Sequence, residues 1–289
     1  HMPVNLRSHA HGQGYADMNF IIPETIEQIS VKKGPYHVEY GDFATAGAVN
    51  YVTREMVPET VIQSAGGNFS TQRHLLLTSP TKDAVRTLIA GEFYYTDGPF
   101  QSVNRNTRYN GLAKLTFEPD ARSQLSLTAT QHYGRWNGSG QIPLREVQAG
   151  RLDRFGSIDP SEGGETARTT ARLDYHYDFH SGGTAFVNLW VQYSYLSLFT
   201  NFTFFLNDPA SGDGIEQTDR RWLTGGDIGD RQAINLRGSD LIGTIGLQTR
   251  FDRAHVRLGT QRTRDALAIT QESRIFEASY SPYLKLEAQ

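Results

Sequence analysis

Residues 171–179, "ARLDYHYDF", divide by parity. Ala171, Leu173, Tyr175, Tyr177 and Phe179 share one face of an extended chain, while Arg172, Asp174, His176 and Asp178 hold the other. Alternation of this kind is the mark of a strand with one apolar and one polar face. It recurs in "AFVNLWVQYSY" (185–195), where Val187, Leu189, Val191, Tyr193 and Tyr195 oppose Asn188, Gln192 and Ser194, with Trp190 an exception on the polar side. "QLSLTATQHY" (124–133) and "VRTLIAGEFYY" (85–95) repeat it, and near the end Phe276, Ala278, Tyr280, Pro282, Leu284 and Leu286 alternate with Glu277, Ser279, Ser281, Lys285 and Glu287. These runs extend about 10 to 14 residues, twice the usual strand of a soluble sheet and enough to cross a bilayer at a tilt.

Composition alone points elsewhere. A mean hydropathy of -0.49 over 289 residues with 38% hydrophobic content describes an ordinary soluble protein. No run approaches the roughly 20 apolar residues of a membrane helix. A transmembrane β-barrel escapes that test, because lipid-facing and lumen-facing residues alternate and average out. The net charge of -3 gives no pull toward nucleic acid, and the absence of cysteine removes disulfides and thiolate sites.

The connections alternate in length. "SPTKD" (79–83), "EPDARS" (118–123) and "HSGG" (180–183) read as tight turns, whereas residues 96–106, 135–165 and 205–229 read as long polar loops. Short turns at one end and long loops at the other are the outer-membrane barrel pattern. Phe93, Tyr94, Tyr95, Tyr133, Trp136, Tyr195 and Phe199 stand near strand ends, where an aromatic girdle would lie. About ten strands are expected after residue 57. Residues 230–262 read as two or three, with "GSD" and "DRA" as candidate turns.

Residues 1–55 break the pattern. Pro23 and Glu24 open a short helical turn, a strand runs through Ile29 and Val31, Gly34-Pro35 forms a turn, and a second strand covers Ala48 to Thr53. The ordered series Ile-Pro-Glu, Ile-Glu-Gln-Ile-Ser-Val, Lys-Gly-Pro, Tyr-Gly-Asp and Gly-Ala-Val-Asn-Tyr-Val-Thr-Arg resembles the last third of the plug domain of TonB-dependent outer-membrane receptors. The upstream "PVNLRSHAHGQGYADMNFIIPE" resembles plug sequence as well.

The resemblance implies a mainly β chain: a small α/β plug fragment in residues 1–55, then, in 56–289, about ten long antiparallel strands of a larger plugged transmembrane β-barrel. It implies residence in the outer membrane of a Gram-negative bacterium, contact with outer-membrane lipid, capture of an extracellular small-molecule ligand, and TonB as the energised partner. Gly34, Pro35, Gly41 and Gly47 become plug turns, and Arg7, Ser8, His9, His11 and Gln13 the substrate-facing residues. The chain reads as an internal piece, without the first plug strands, the TonB-binding segment or a terminal aromatic. The competing reading is a self-contained small pore or structural barrel with residues 1–55 inside it.

No cofactor is expected. "GQG" lacks the third glycine and helix of a dinucleotide site, and no G-x-S-x-G nucleophile elbow is present, so the chain reads as a non-enzyme. His9 and His11 would share a strand face, but without a neighbouring carboxylate or cysteine they are not assigned a metal. Arg86, Glu92, Lys114, Arg172, Asp174, His176 and Asp178 are expected to face a wetted interior, and Asp208, Asp213, Asp219, Arg220, Arg221 and Trp222 to lie in a loop.

Overall fold

The computed structural model describes residues 2–41, 43–80, 85–180, 182–236 and 239–288. A 3-10 turn at Pro23–Thr25 leads into β1 (Ile26–Lys33), which pairs antiparallel with β2 (Gly47–Thr53). Gly34 (φ +81°) is followed by Pro35, and its N–H meets the Ala46 carbonyl at 2.9 Å to close the connection. At Gly47 a Cβ would stand 2.2 Å from the Lys32 carbonyl oxygen, so no other residue fits there without moving the backbone. Gly41 adopts φ +78° at the end of a second 3-10 turn, Val38–Tyr40.

The remainder is one antiparallel meander of ten strands: β3 (Val61–Gly66), β4 (Gln72–Thr78), β5 (Val85–Thr96), β6 (Asn106–Asp120), β7 (Ser123–Asn137), β8 (Gly163–Asp178), β9 (Thr184–Thr200), β10 (Ile215–Leu236), β11 (Ser239–Arg262) and β12 (Asp265–Ala288). Each strand pairs with its sequence neighbours, and among the described residues β3 and β12 do not pair with each other. The sheet is therefore open, against the self-contained small barrel.

Three links at one end (97–105, 138–162, 201–214) are long, although that end also carries 67–71 and the two-residue 263–264, whereas 121–122 at the other end holds two residues between Asp120 and Ser123. The 138–162 segment carries a single helical turn, α1 (Leu144–Gln148). Part of "SPTKD", Ser181 of "HSGG" and Gly238 of "GSD" lie outside the described residues. Two expectations are corrected. The polar run 205–229 is loop only as far as Gly214, and "DRA" (252–254) is the middle of β11 rather than a turn, which leaves two strands over 230–262.

Face assignment follows parity. Leu115, Leu127, Leu173 and Leu189 form one directly paired row over β6–β9 on the outer face, and the first, second and fourth are exposed. On β12 the outward set is apolar from Phe276 to Leu286. That span suits the roughly 25 Å apolar band of a membrane barrel. Tyr94 and Trp136 depart from the girdle: their parity is that of the buried Glu92 and His132, and Arg108 stacks over the Tyr94 ring at 4.8 Å.

The inner face carries residues 2–41 and 43–55. Two apolar clusters seat that segment. Ile22, with Val57 beyond the segment, packs on Leu75, Leu77, Leu88, Ala90 and Leu112, and Leu6 packs on Trp190 and Leu223 beside Met2 and Tyr15. Trp190, out of place on a polar face by sequence, is explained by this contact. Each such leucine is worth about 1.5 to 3 kcal/mol when fully buried.

Candidate functional site

Residues 6–15 form a closed loop at the long-loop end of the sheet. The Leu6 N–H donates to the Tyr15 carbonyl at 2.9 Å, the Gly14 N–H donates to the Leu6 carbonyl at 2.8 Å, and Gly12 and Gly14 have φ +143° and +74°. This turn separates the two histidines that an extended chain would have placed together. His9 lies under Tyr15, ring centroids 4.2 Å apart and nearly parallel, with its side chain 2% exposed. Its Nδ1 accepts the His11 N–H at 3.1 Å, so the ring proton sits on Nε2, 3.6 Å from Asp219 Oδ2. Burial pushes the His9 pKa down to about 4, with Asp219 pulling the other way and Arg221 and His11 adding to the fall. The ring is neutral at pH 7. Tyr15 is pushed up to about 12 by the same burial, then by Asp17 and Asp219.

His11 points out, its Nδ1 3.0 Å from Gln217 Oε1, and Gln13 is exposed beside it. Arg7 instead reaches the wall, donating to Ser279 Oγ at 3.1 Å, and the Ser8 hydroxyl is buried with no partner among the described residues. The structure thus presents His11 and Gln13 to the outside and commits Arg7 and His9 to the contact between loop and sheet. Among the described residues no three His, Asp or Glu side chains are placed to hold a metal.

The wall opposite is polar along a register row. Glu92, Asn110, His132, Arg168, Ser194 and Arg221 are paired in turn across β5–β10. Asn110 donates to Glu92 Oε1 at 3.0 Å and to the Asn19 carbonyl at 2.8 Å, and its Oδ1 is 2.7 Å from His132 Nδ1. Arg73 ties the row to the N-terminal segment, donating to Glu92 at 2.6 Å and to both oxygens of Glu24 at 2.8 Å. The Arg73 hydrogen bonds hold the Glu24 carboxyl below its usual pKa. Arg168 stacks over Phe20 at 4.2 Å, and two of its nitrogens, with His132 Nε2, have no partner among the described residues. They border a cavity of about 20 Å³, room for one water.

At the far side Arg221 donates to Asp219 at 2.7 Å and to Asp252 at 2.8 Å, all three buried, and the Ala10 N–H donates to Asp219 at 3.0 Å. Further from the loop, Glu55 binds Lys114 and Thr116, and Glu39 binds Lys285 at 3.1 Å. Between segment and wall lies a cavity of about 870 Å³ whose polar lining includes Arg172, Asp174, His176 and Asn188. The expected inward residues therefore divide. Glu92 and Lys114 hold the segment and Arg172, Asp174 and His176 line the cavity, whereas Arg86 pairs with Glu118 at 2.7 Å and Asp178 is exposed. Asn110 and Arg168 escaped the sequence reading, although their even numbering within alternating runs was the available signal, and His132 was read on the polar face of its run without a role.

No family model and no curated protein matches the chain. Solved structures do. The pyoverdine outer membrane receptor FpvA from Pseudomonas aeruginosa PAO1 superposes with a TM-score of 0.78 at 15% identity, over 96% of this chain and 45% of that one. The ferric citrate transporter FecA gives 0.73 at 16% identity (93% and 42%), and the copper transporter OprC gives 0.69 at 16% (98% and 42%). All are transporters or receptors, and the chain spans less than half the length of each. The chain accordingly has the fold of the TonB-dependent outer-membrane receptors across that share of their length.

Proposed function

We propose that the chain is part of an outer-membrane importer that captures a scarce extracellular solute, a metal chelate being the leading class, and passes it to the periplasm with energy from TonB. Residues 1–55 act as the part of a plug and 56–289 as the part of the barrel wall. The observation that carries the reading is the N-terminal segment seated on the polar inner face of a sheet whose outer face is apolar. His11 and Gln13 meet the solute first. Arg7, Ser8 and His9 lie behind them, where a change at the tip reaches the Asp219–Arg221–Asp252 cluster. Outer-membrane lipid bounds the wall, no nucleic acid takes part, and no covalent chemistry is performed.

The test uses the complete protein that contains this chain, produced in the outer membrane of a Gram-negative host. Uptake of labelled ferric siderophores, ferric citrate and copper is measured with and without functional TonB. Accumulation of one solute only when TonB works is expected, with weaker binding after His11→Ala and Gln13→Ala. Solute flux independent of TonB would overturn the importer reading in favour of a pore.

A further inference from the structure

The outer face is not apolar to its end. A single register row crosses β5–β12 through Phe93, Tyr109, Tyr133, Ala167, Tyr195, Arg220, His255 and Arg274. Over β5–β9 it is aromatic except for Ala167 on β8, and Tyr133 and Tyr195 both donate to Glu165, at 3.3 and 3.1 Å. Over β10–β12 it becomes basic. One outward position nearer the apolar band, Tyr193, Trp222, Arg253 and Phe276 are paired, with the Tyr193 and Trp222 rings 5.1 Å apart. On β12 the change is abrupt: Phe276 is the last of the apolar outward set and Arg274 the next outward residue. Rings of Tyr and Trp settle at headgroup depth, so the arginines beside them stand at that depth too.

The patch is unbalanced. Arg257 pairs with Glu216 at 2.9 Å and His255 with Glu272 at 2.5 Å. Arg220, Arg253 and Arg274 are exposed, and the Arg220 guanidinium stands over the Tyr195 ring, 5.4 Å from its centroid. Four arginines set against two glutamates leave an excess of two positive charges on a chain whose net charge is -3. Exposed arginines would be costly beside acyl chains, so their place beside the Tyr and Trp rings puts them above the acyl region, in the layer of charged headgroups. They fit an anion of the headgroup layer, and arginine binds phosphate through two parallel N–H donors. The patch lies toward the long-loop end, the outer side of such barrels.

We infer that Arg220, Arg253 and Arg274, with His255 among them, form a docking surface for the phosphates of a phosphorylated glycolipid in the outer leaflet. This rests on the reading of the sheet as a membrane wall, and the experiment separates the two. The complete protein is inserted into nanodiscs and titrated with bisphosphorylated lipid A or its dephosphorylated counterpart, with inorganic phosphate as competitor. The phosphorylated lipid is expected to bind at least ten-fold more tightly, to lose that advantage in R220Q/R253Q/R274Q, and to resist millimolar inorganic phosphate. The dephosphorylated lipid binding equally well, or the triple variant keeping the preference, would overturn the inference. Full competition by inorganic phosphate would do so as well, by showing a free-anion site. Failure of the wild type to insert would strike the membrane reading instead. All three side chains are exposed, and retention of the β-sheet circular dichroism spectrum verifies that the variant folds. The charge reversal R253E/R274E should reduce binding further without disturbing that spectrum.

Discussion

At the scale of the residue, His9 shows how a local turn decides chemistry. Two histidines two apart share a face only while the chain is extended, and Gly12 and Gly14 bend it instead, burying His9 and exposing His11. That bend was not legible, because a glycine permits a left-handed backbone without requiring one. The buried ring makes stability depend on pH. Its pKa falls from 6.5 to about 4 on folding, so the unfolded chain binds the proton more readily between those values. The contribution is complete above pH 6.5 and is lost as the pH falls toward 4, reaching about 3 kcal/mol on the scale of 1.4 kcal/mol per unit. Thermal unfolding in micelles should show the midpoint falling between pH 6.5 and 4 by more in the native chain than in His9→Phe, which keeps a ring against Tyr15 but cannot titrate. Parallel pH profiles would remove His9 as the source.

At the scale of the element, alternation was legible where a strand carries one apolar and one polar face along its length. The sets read from 85–95, 124–133, 171–179 and 276–287 lie on the strands β5, β7, β8 and β12, with Phe179 alone one residue beyond the end of β8. Alternation failed at β10, and the reason is physical. Inward Asp219 and Arg221 bind one another and Asp252, while outward Arg220 has left the apolar band, so the strand is polar on both faces at that height. Gly225, Gly226 and Gly229 add no side chain to either set. A charged, glycine-rich run reads as loop unless its neighbours in the sheet are known. The faces of β9 give a sharper test. Leu189 is 52% exposed on the outer side, and Asn188 beside it lines the large cavity. Arginine at Leu189 should cost about 2 to 4 kcal/mol if the position lies near the bilayer midplane, and arginine at Asn188 far less. Urea unfolding from lipid vesicles measures both, and equal costs would contradict the assignment of faces.

At the scale of the whole molecule, the governing fact is an open sheet around a bound segment. Plugged outer-membrane barrels have about 22 strands, and smaller barrels of about eight are filled by their own side chains. Ten strands hold the N-terminal segment here because the sheet does not close, which among the described residues leaves backbone groups of β3 and β12 unpaired along two edges. The segment is fastened at widely separated strands, by Glu24 to Arg73 on β4, by Glu55 to Lys114 on β6 and by Glu39 to Lys285 on β12. Those ties can hold it to the wall while the edges stay free. The 24-residue β12 edge is long and alternates apolar with polar residues, the kind of edge that recruits another strand. Produced alone and refolded into detergent, the chain should therefore associate through its edges, with a mass by light scattering that rises with protein concentration. Proline at Tyr280 and Leu284, on the outward face of β12, should lower that association by removing backbone donors along the edge. A monomer at every concentration, with and without the prolines, would mean that the edges are covered from within the chain.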